Sequence, residues 1–231
     1  MKLPPLVFYG GTFDPVHAGH LAIALAARDA LPAEVRLVPA ADPPHKDATH
    51  ADAAHRAAML ELAIDGAPGL CVDRRELERA GPSYSVDTLR GLREEHGDER
   101  PLVWLVGSDS LLQLDTWHRW RELFALAHVL AVQRPGAEVD RDALAARAPA
   151  VHAEIAGRWR EPRELAATTA GGFALLAPPA LREESSTELR RRIRAGEPWC
   201  GWVPPQVAEY IAANGLYAAS APPPGPHPAS L

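Results

Sequence analysis

A chain of 231 residues with a formal net charge of -6 is long enough for one sizeable core and does not require a second domain. The acidic balance excludes a nucleic-acid binder that works through a broad basic surface, while a small anionic ligand needs only local positive charge. The 2 cysteines, Cys71 and Cys200, supply neither a disulfide framework nor metal-ligand spacing, and with no secretory h-region and no apolar run of spanning length the expectation is a cytoplasmic protein without membrane or nucleic-acid partners.

Leu6 to Tyr9 is a short apolar, aromatic run that stops at Gly10-Gly11, and Leu21, Ala22, Leu25 and Ala26 recur at helical spacing beyond His20. The stretch therefore predicts strand, tight loop, helix. A glycine-rich loop in that place lets backbone amides approach an anion, and the helix start adds partial positive charge. His17 and His20, three residues apart at the helix start, can face one space. Imidazole there donates hydrogen bonds to phosphate oxygens and, if protonated, adds charge. Gly-Gly and Asp14-Pro15 are also ordinary turn pairs. His-x-x-His could bring two metal ligands together, but no nearby cysteine or carboxylate pattern completes such a site.

Glu34 to Pro39 reads as a second strand, and its following loop carries PPHK, in which Lys46 is a mobile point charge suited to phosphate oxygens or simply a solvated base. A helix is expected over 55–64, a short strand over 69–73, and an amphipathic helix over 85–95 with Ser85 as its N-cap. The exposed amides of that helix start can equally receive a carboxylate. The continuously apolar run 101–106 suits a strand buried on both faces. Asp109 lies just beyond its end, and DTWHRWRELFALA reads as one helix on which Trp117 and Trp120 could both pack into the core.

A strand follows over 128–133, ending at Arg134-Pro135, and residues 136–168 read as helical stretches broken at Pro149 and Pro162. FALL, 173–176, is the last strand, with helices at 186–195 and 205–214. Ser185-x-x-Glu188 fits a capping box, which accounts for those two residues. Ser186, Thr187 and Arg190 would also place hydroxyls, amides and a guanidinium around the same helix start, a good anion cradle. Strands alternating with helices indicate an α/β fold, a Rossmann-like doubly wound parallel sheet with C-terminal helices. Its ligands should gather outside the carboxyl ends of the strands. Residues 1–217 are expected to form one domain and 218–231 a Pro-rich, disordered tail.

GGTFDPVHAGH resembles the signature of the HxGH nucleotidyltransferase superfamily, here His17-Ala18-Gly19-His20, and its fuller form is similar to the bacterial nicotinate-nucleotide adenylyltransferase family. PPHK, GPSYSVDTL, GSDSL with a following tryptophan, and ESSTELR occur in that family's order, and the likeness runs from about residue 6 to residue 217. The resemblance implies adenylyl transfer from ATP to nicotinate mononucleotide. It implies ATP binding by Gly10, Gly11, Thr12, Phe13, His17, His20, Ser185, Ser186, Thr187 and Arg190.

For the mononucleotide it implies Lys46, Tyr84, Ser85, Thr88, Asp109, Trp117 and Arg134. Backbone at Tyr84-Ser85 would receive the pyridine carboxylate, Asp109 the hydroxyl groups, and Trp117 would stack on the ring. His17, His20, Lys46 and Arg190 are then the catalytic group. Mg²⁺ is expected with ATP, held chiefly by phosphates and water, with no protein metal site. The chain departs from the family at Ser85 for threonine, Glu184 for a branched apolar residue and Leu189 for isoleucine. An amide-preferring enzyme, another adenylyltransferase of the superfamily and a nucleotide-binding sensor without turnover remain as alternatives, and homo-oligomerisation stays open.

Overall fold

Apolar runs supply six strands: β1 (Leu6–Gly11), β2 (Glu34–Pro39), β3 (Leu70–Val72), β4 (Leu102–Gly107), β5 (His128–Val132) and β6 (Phe173–Leu176). In the computed structural model, which describes residues 3–41, 49–177 and 182–218, they form one parallel sheet in the order β3-β2-β1-β4-β5-β6. The crossovers carry α1 (Ala18–Ala30), α2 (Ala53–Ile64), α3 (Arg75–Glu78), α4 (Ser85–His96), α5 (Ser108–Leu111), α6 (Leu123–Leu126), α7 (Arg141–Arg147) and α8 (Pro149–Ile155), and α9 (Ser186–Ala195) follows β6. α10 (Pro205–Ala213) closes the chain against α2. This is the expected doubly wound α/β architecture. Strand order reverses between β1 and β4, so a crevice opens beyond their carboxyl ends.

Alternation along the strands divides the core into two layers. Val7, Val35, Leu37, Val103 and Leu105 pack with Ile23, Ala27, Met59, Leu60 and Ile211 on one face. Leu6, Phe8, Leu102, Trp104 and Val129 pack with Leu89, Leu92, Phe124 and Val151 on the other. Strands β4 and β5 are buried throughout, because both sheet faces are covered there. Among the described residues no helix is long and apolar enough to cross a membrane.

Several local expectations are corrected. Gly10 and Gly11 are the last residues of β1 and not a loop. A Cβ on Gly10 would lie 2.5 Å from Trp104 Cζ2, and one on Gly11 2.8 Å from Phe13 Cζ. Both glycines are thus required by rings packed over the strand, before any ligand is considered. Residues 115–127 are not one helix. Tight turns at Leu114–Thr116 and Trp120–Glu122 precede α6, and Arg119, with φ 52°, stands left-handed between them. Trp120 therefore enters the core while Trp117 stays partly exposed. Ser85 begins α4, with Tyr84 as the residue before it. Pro149 breaks the helical stretch by starting α8, where its missing N–H costs nothing. The short α3 was not legible in the sequence.

Two buried charged residues fix the loops above the sheet. Arg56 is fully buried and donates to the carbonyl oxygens of Thr12 at 2.8 Å, Ala40 at 2.6 Å, Ala41 at 3.2 Å and Ala51 at 3.3 Å. Asp14 accepts the N–H groups of His50 at 2.8 Å and Ala51 at 3.1 Å and the Tyr217 hydroxyl at 2.8 Å. On the far side of the sheet, buried His128 receives the Gly172 N–H on Nδ1 at 2.9 Å and donates from Nε2 to Thr168 O at 2.8 Å. Burial holds its pKa below the ordinary imidazole value.

Gly10→Ala should cost about 1–3 kcal/mol by overpacking against Trp104, measured by urea unfolding at neutral pH. His128 adds a pH dependence. Its folded pKa lies below its unfolded one, so its contribution is complete above about pH 6.5 and is lost as pH falls toward the folded value. Urea midpoints should decline across that acid range, and His128→Phe should flatten the decline while lowering stability at neutral pH, since Gly172 N–H and Thr168 O lose their partner.

Candidate active site

The crevice beyond β1 and β4 is a cleft of about 850 Å³. It brings together Gly10, Gly11, Thr12 and Phe13 from the end of β1, His20 from α1, and Tyr84 and Ser85 from the start of α4. Asp109 and Trp117 follow β4, Arg134 follows β5, and Ser186, Thr187 and Arg190 come from α9. His17, Thr88 and Ser185 are not on its surface, and Lys46 lies outside the described residues, as does the tail beyond residue 218.

His17 is buried at the entry to α1, its ring against that of His20 with centroids 3.7 Å apart. Its backbone N–H donates to His20 Nδ1 at 3.3 Å. That acceptor role places the hydrogen of neutral His20 on Nε2. Burial, reinforced by the Arg134 charge, pulls the pKa of His17 down to about 3. His17 is therefore neutral near pH 7, and the charge that a protonated imidazole would add is absent at that position. Its buried Nδ1 has no hydrogen-bond partner among the described residues. Gly19 is what allows this packing, because a Cβ there would lie 3.0 Å from that same Nδ1.

At the start of α9, Ser185 acts as the cap: its hydroxyl oxygen accepts the Glu188 N–H at 3.2 Å. The return half of the capping box is absent, since the Glu188 carboxylate pairs with Arg191 at 2.8 Å and Arg192 at 3.0 Å. Ser186 donates to Pro15 O at 2.9 Å, and Arg190 donates to Asp14 O at 2.5 Å. α9 is thereby bolted to the loop after β1. Glu184, the departure from the family pattern, is buried with one carboxylate oxygen 3.2 Å from Arg182 and the other without a hydrogen-bond partner among the described residues. Its carbonyl accepts from Arg134 at 3.4 Å. Leu189 fills the core as isoleucine would.

At the opposite end of the cleft the Tyr84 ring lies on His118, with centroids 4.4 Å apart. Thr88 turns away into the protein and donates to Glu76 at 2.6 Å. Glu76 itself lines the cleft, and burial raises its pKa against the lowering effect of the Thr88 bond. Ser83 accepts the Ala41 N–H at 3.0 Å, joining the α4 entry to the loop after β2. Asp109 and Arg134 stand 3.5 Å apart at the rim. Among the described residues no group of three or more His, Cys, Asp or Glu side chains is arranged to hold a metal ion.

Sequence reasoning missed His50, Glu76, Trp104 and His118, which all line the cleft, and Arg56, which supports it. His118 follows Trp117, but its position depends on the chain reversal at Arg119. Arg56 sits on a helix with apolar periodicity, where a charged residue reads as solvated.

The profile of the cytidylyltransferase-like family matches residues 8–192. A probable nicotinate-nucleotide adenylyltransferase of Stenotrophomonas maltophilia is 51% identical over 224 residues, covering 94% of this chain and 98% of the relative. A protein of the same name from Laribacter hongkongensis is 46% identical, with 93% and 94% covered. The solved Plasmodium falciparum nicotinic acid mononucleotide adenylyltransferase in complex with NaAD shares the fold, with a TM-score of 0.71 at 17% identity over 93% of this chain and 98% of that one.

Gly107→Ala separates fold from site. Its Cβ would stand 2.3 Å from Asp109 Oδ1 and 2.9 Å from Arg134 Cδ, two side chains that can swing toward solvent. The melting temperature should stay within about 4 °C of the wild type, while the Asp109–Arg134 pair is displaced and ligand affinity falls. Thermal melting and calorimetric titration of one preparation check both.

Proposed function

The chain belongs to the cytidylyltransferase-like family, and we propose that within it the chain works as a nicotinate-nucleotide adenylyltransferase, joining the adenylyl group of ATP to nicotinate mononucleotide to give nicotinate adenine dinucleotide and pyrophosphate in NAD biosynthesis. The observation that carries this reading is the likeness to relatives of that name over more than nine-tenths of both chains. The cleft gives it chemical sense, with cationic and amide donors at one end and aromatic rings beside a helix start at the other.

The attacking phosphate of the mononucleotide is already an anion, so no general base is needed. The work that remains is to align two polyanions and to stabilise charge on the phosphoryl oxygens as the transition state forms. His20 Nε2–H and the Arg190 guanidinium donate to ATP phosphates, with Ser186 and Thr187 beside them. Neutral His17 packs against His20 and holds it in place from behind the cleft surface. Lys46 is assigned to the phosphates as well. Mg²⁺ enters as part of the substrate, chelated by ATP and water.

For the mononucleotide, backbone at Tyr84-Ser85 receives the pyridine carboxylate chiefly through the Ser85 N–H, since the Tyr84 N–H donates to Pro82 O at 3.1 Å; Asp109 and Arg134 address the ribose and its phosphate, and Trp117 stacks on the ring. Ser185 and Thr88 support the site from behind it, as cap and as partner of Glu76. Residues 1–217 serve as a single catalytic domain.

A coupled pyrophosphate assay against a panel of mononucleotides tests the reading. The acid should be preferred to the amide by at least about tenfold in kcat/KM, because the amide NH₂ would face donors and leave buried groups unpaired. Equal use of both would refute the carboxylate assignment. Trp117→Ala should weaken both substrates with little change in their ratio.

His20→Ala should raise the barrier by about 2–4 kcal/mol with little change in melting temperature. Arg190→Ala should raise KM for ATP more than KM for the mononucleotide, since it loses a charge-assisted contact to the triphosphate. Normal turnover of His20→Ala would remove His20 from the phosphate site.

A further inference from the structure

Asp14 anchors two side chains at the cleft. Its main-chain oxygen accepts from Arg190. Its carboxylate Oδ2 lies 3.4 Å from Nδ1 of His50 and accepts the His50 backbone N–H at 2.8 Å. The other oxygen, Oδ1, is taken by the Ala51 N–H and the Tyr217 hydroxyl. With the residue only 4% exposed, this carboxylate is fixed in place. His50 is different: its side chain is 40% exposed and lines the cleft, as do Thr12, Thr187 and Arg190.

Nδ1 of His50 stands 3.4 Å from this fixed carboxylate, so the charge of Asp14 draws one edge of the imidazole to the wall of the cleft. The backbone N–H of His50 makes the shorter bond to Asp14, so the loop is held whatever the side chain. The ring is left with a role in the cleft.

We propose that His50 is a further phosphate-binding residue, held by Asp14, whose Nε2–H donates to the pyrophosphate portion of ATP on the Arg190 side of the cleft. The naming of those phosphates rests on the adenylyl-transfer reading. With Nδ1 facing Asp14 and Nε2–H donated to phosphate, the ring bridges the buried carboxylate and the bound anion.

The test is calorimetric titration of the full chain with inorganic pyrophosphate and, separately, with nicotinate mononucleotide, for the wild type, His50→Gln and His50→Ala. Both variants keep the backbone bond to Asp14, and melting curves check that they are folded. Pyrophosphate Kd should rise about tenfold in both, because the imidazole contact to phosphate is lost. Mononucleotide Kd should stay unchanged.

Unchanged pyrophosphate affinity in folded His50→Gln would overturn the proposal, as would an equal loss for both ligands. If His50→Ala melts early, His50→Gln alone decides. Failure of the wild type to form dinucleotide from ATP and nicotinate mononucleotide would refute the reaction and leave the pyrophosphate titration to judge His50.

Discussion

The guanidinium of Arg56 holds the mouth of the cleft together. It reaches from α2 to carbonyl oxygens in the loop after β1, in the loop after β2 and just before α2 itself. A buried cation is costly unless its donors are satisfied. Here Arg56 has acceptors on several segments and the charge of Asp14 nearby, which opposes the depression of its pKa by burial. Carbonyls that end parallel strands cannot all find partners within the sheet, and Arg56 meets that need at the crevice. The placement of Phe13, Asp14 and the entry to α1 follows from it.

Asp14 performs the complementary task with the opposite charge. Its carboxylate collects the N–H groups at the approach to α2 and the Tyr217 hydroxyl, and its carbonyl collects Arg190. The C-terminal segment is thereby brought back over the first loop of the chain. The burial that makes these bonds strong also raises the pKa of the Tyr217 phenol, so the pair is stable as hydroxyl donor and carboxylate acceptor.

An acidic protein that binds anions must concentrate positive potential locally. Burial leaves His17 neutral, so the cationic character of the cleft comes from Arg134 and Arg190 and from amides at helix starts. His17 packs its ring on His20 and donates its backbone N–H to it. The separation has a physical basis, because a charged imidazole in that buried position would be stable only with a partner, whereas guanidinium groups at the rim keep contact with water.

The fold was legible in the sequence because its signals are local. Strand-length apolar runs between helical periods determine a parallel α/β sheet, and Gly10 to His20, Tyr84-Ser85, Asp109, Trp117 and Ser186 to Arg190 fall at strand ends by chain order alone. The sequence also determined the family, through motifs spread over most of its length. Tertiary structure decided which way each side chain faces. Thr88 and Ser185 turn to Glu76 and to the backbone of α9, Gly10 and Gly11 answer to Trp104 and Phe13, and the left-handed Arg119 sends Trp120 inward while Trp117 and His118 stay at the cleft. Arg56, Glu76 and His50 entered the site unannounced for the same reason. Their partners are carbonyls, hydroxyls and a carboxylate from other segments, and such contacts exist only once the sheet has brought those segments together.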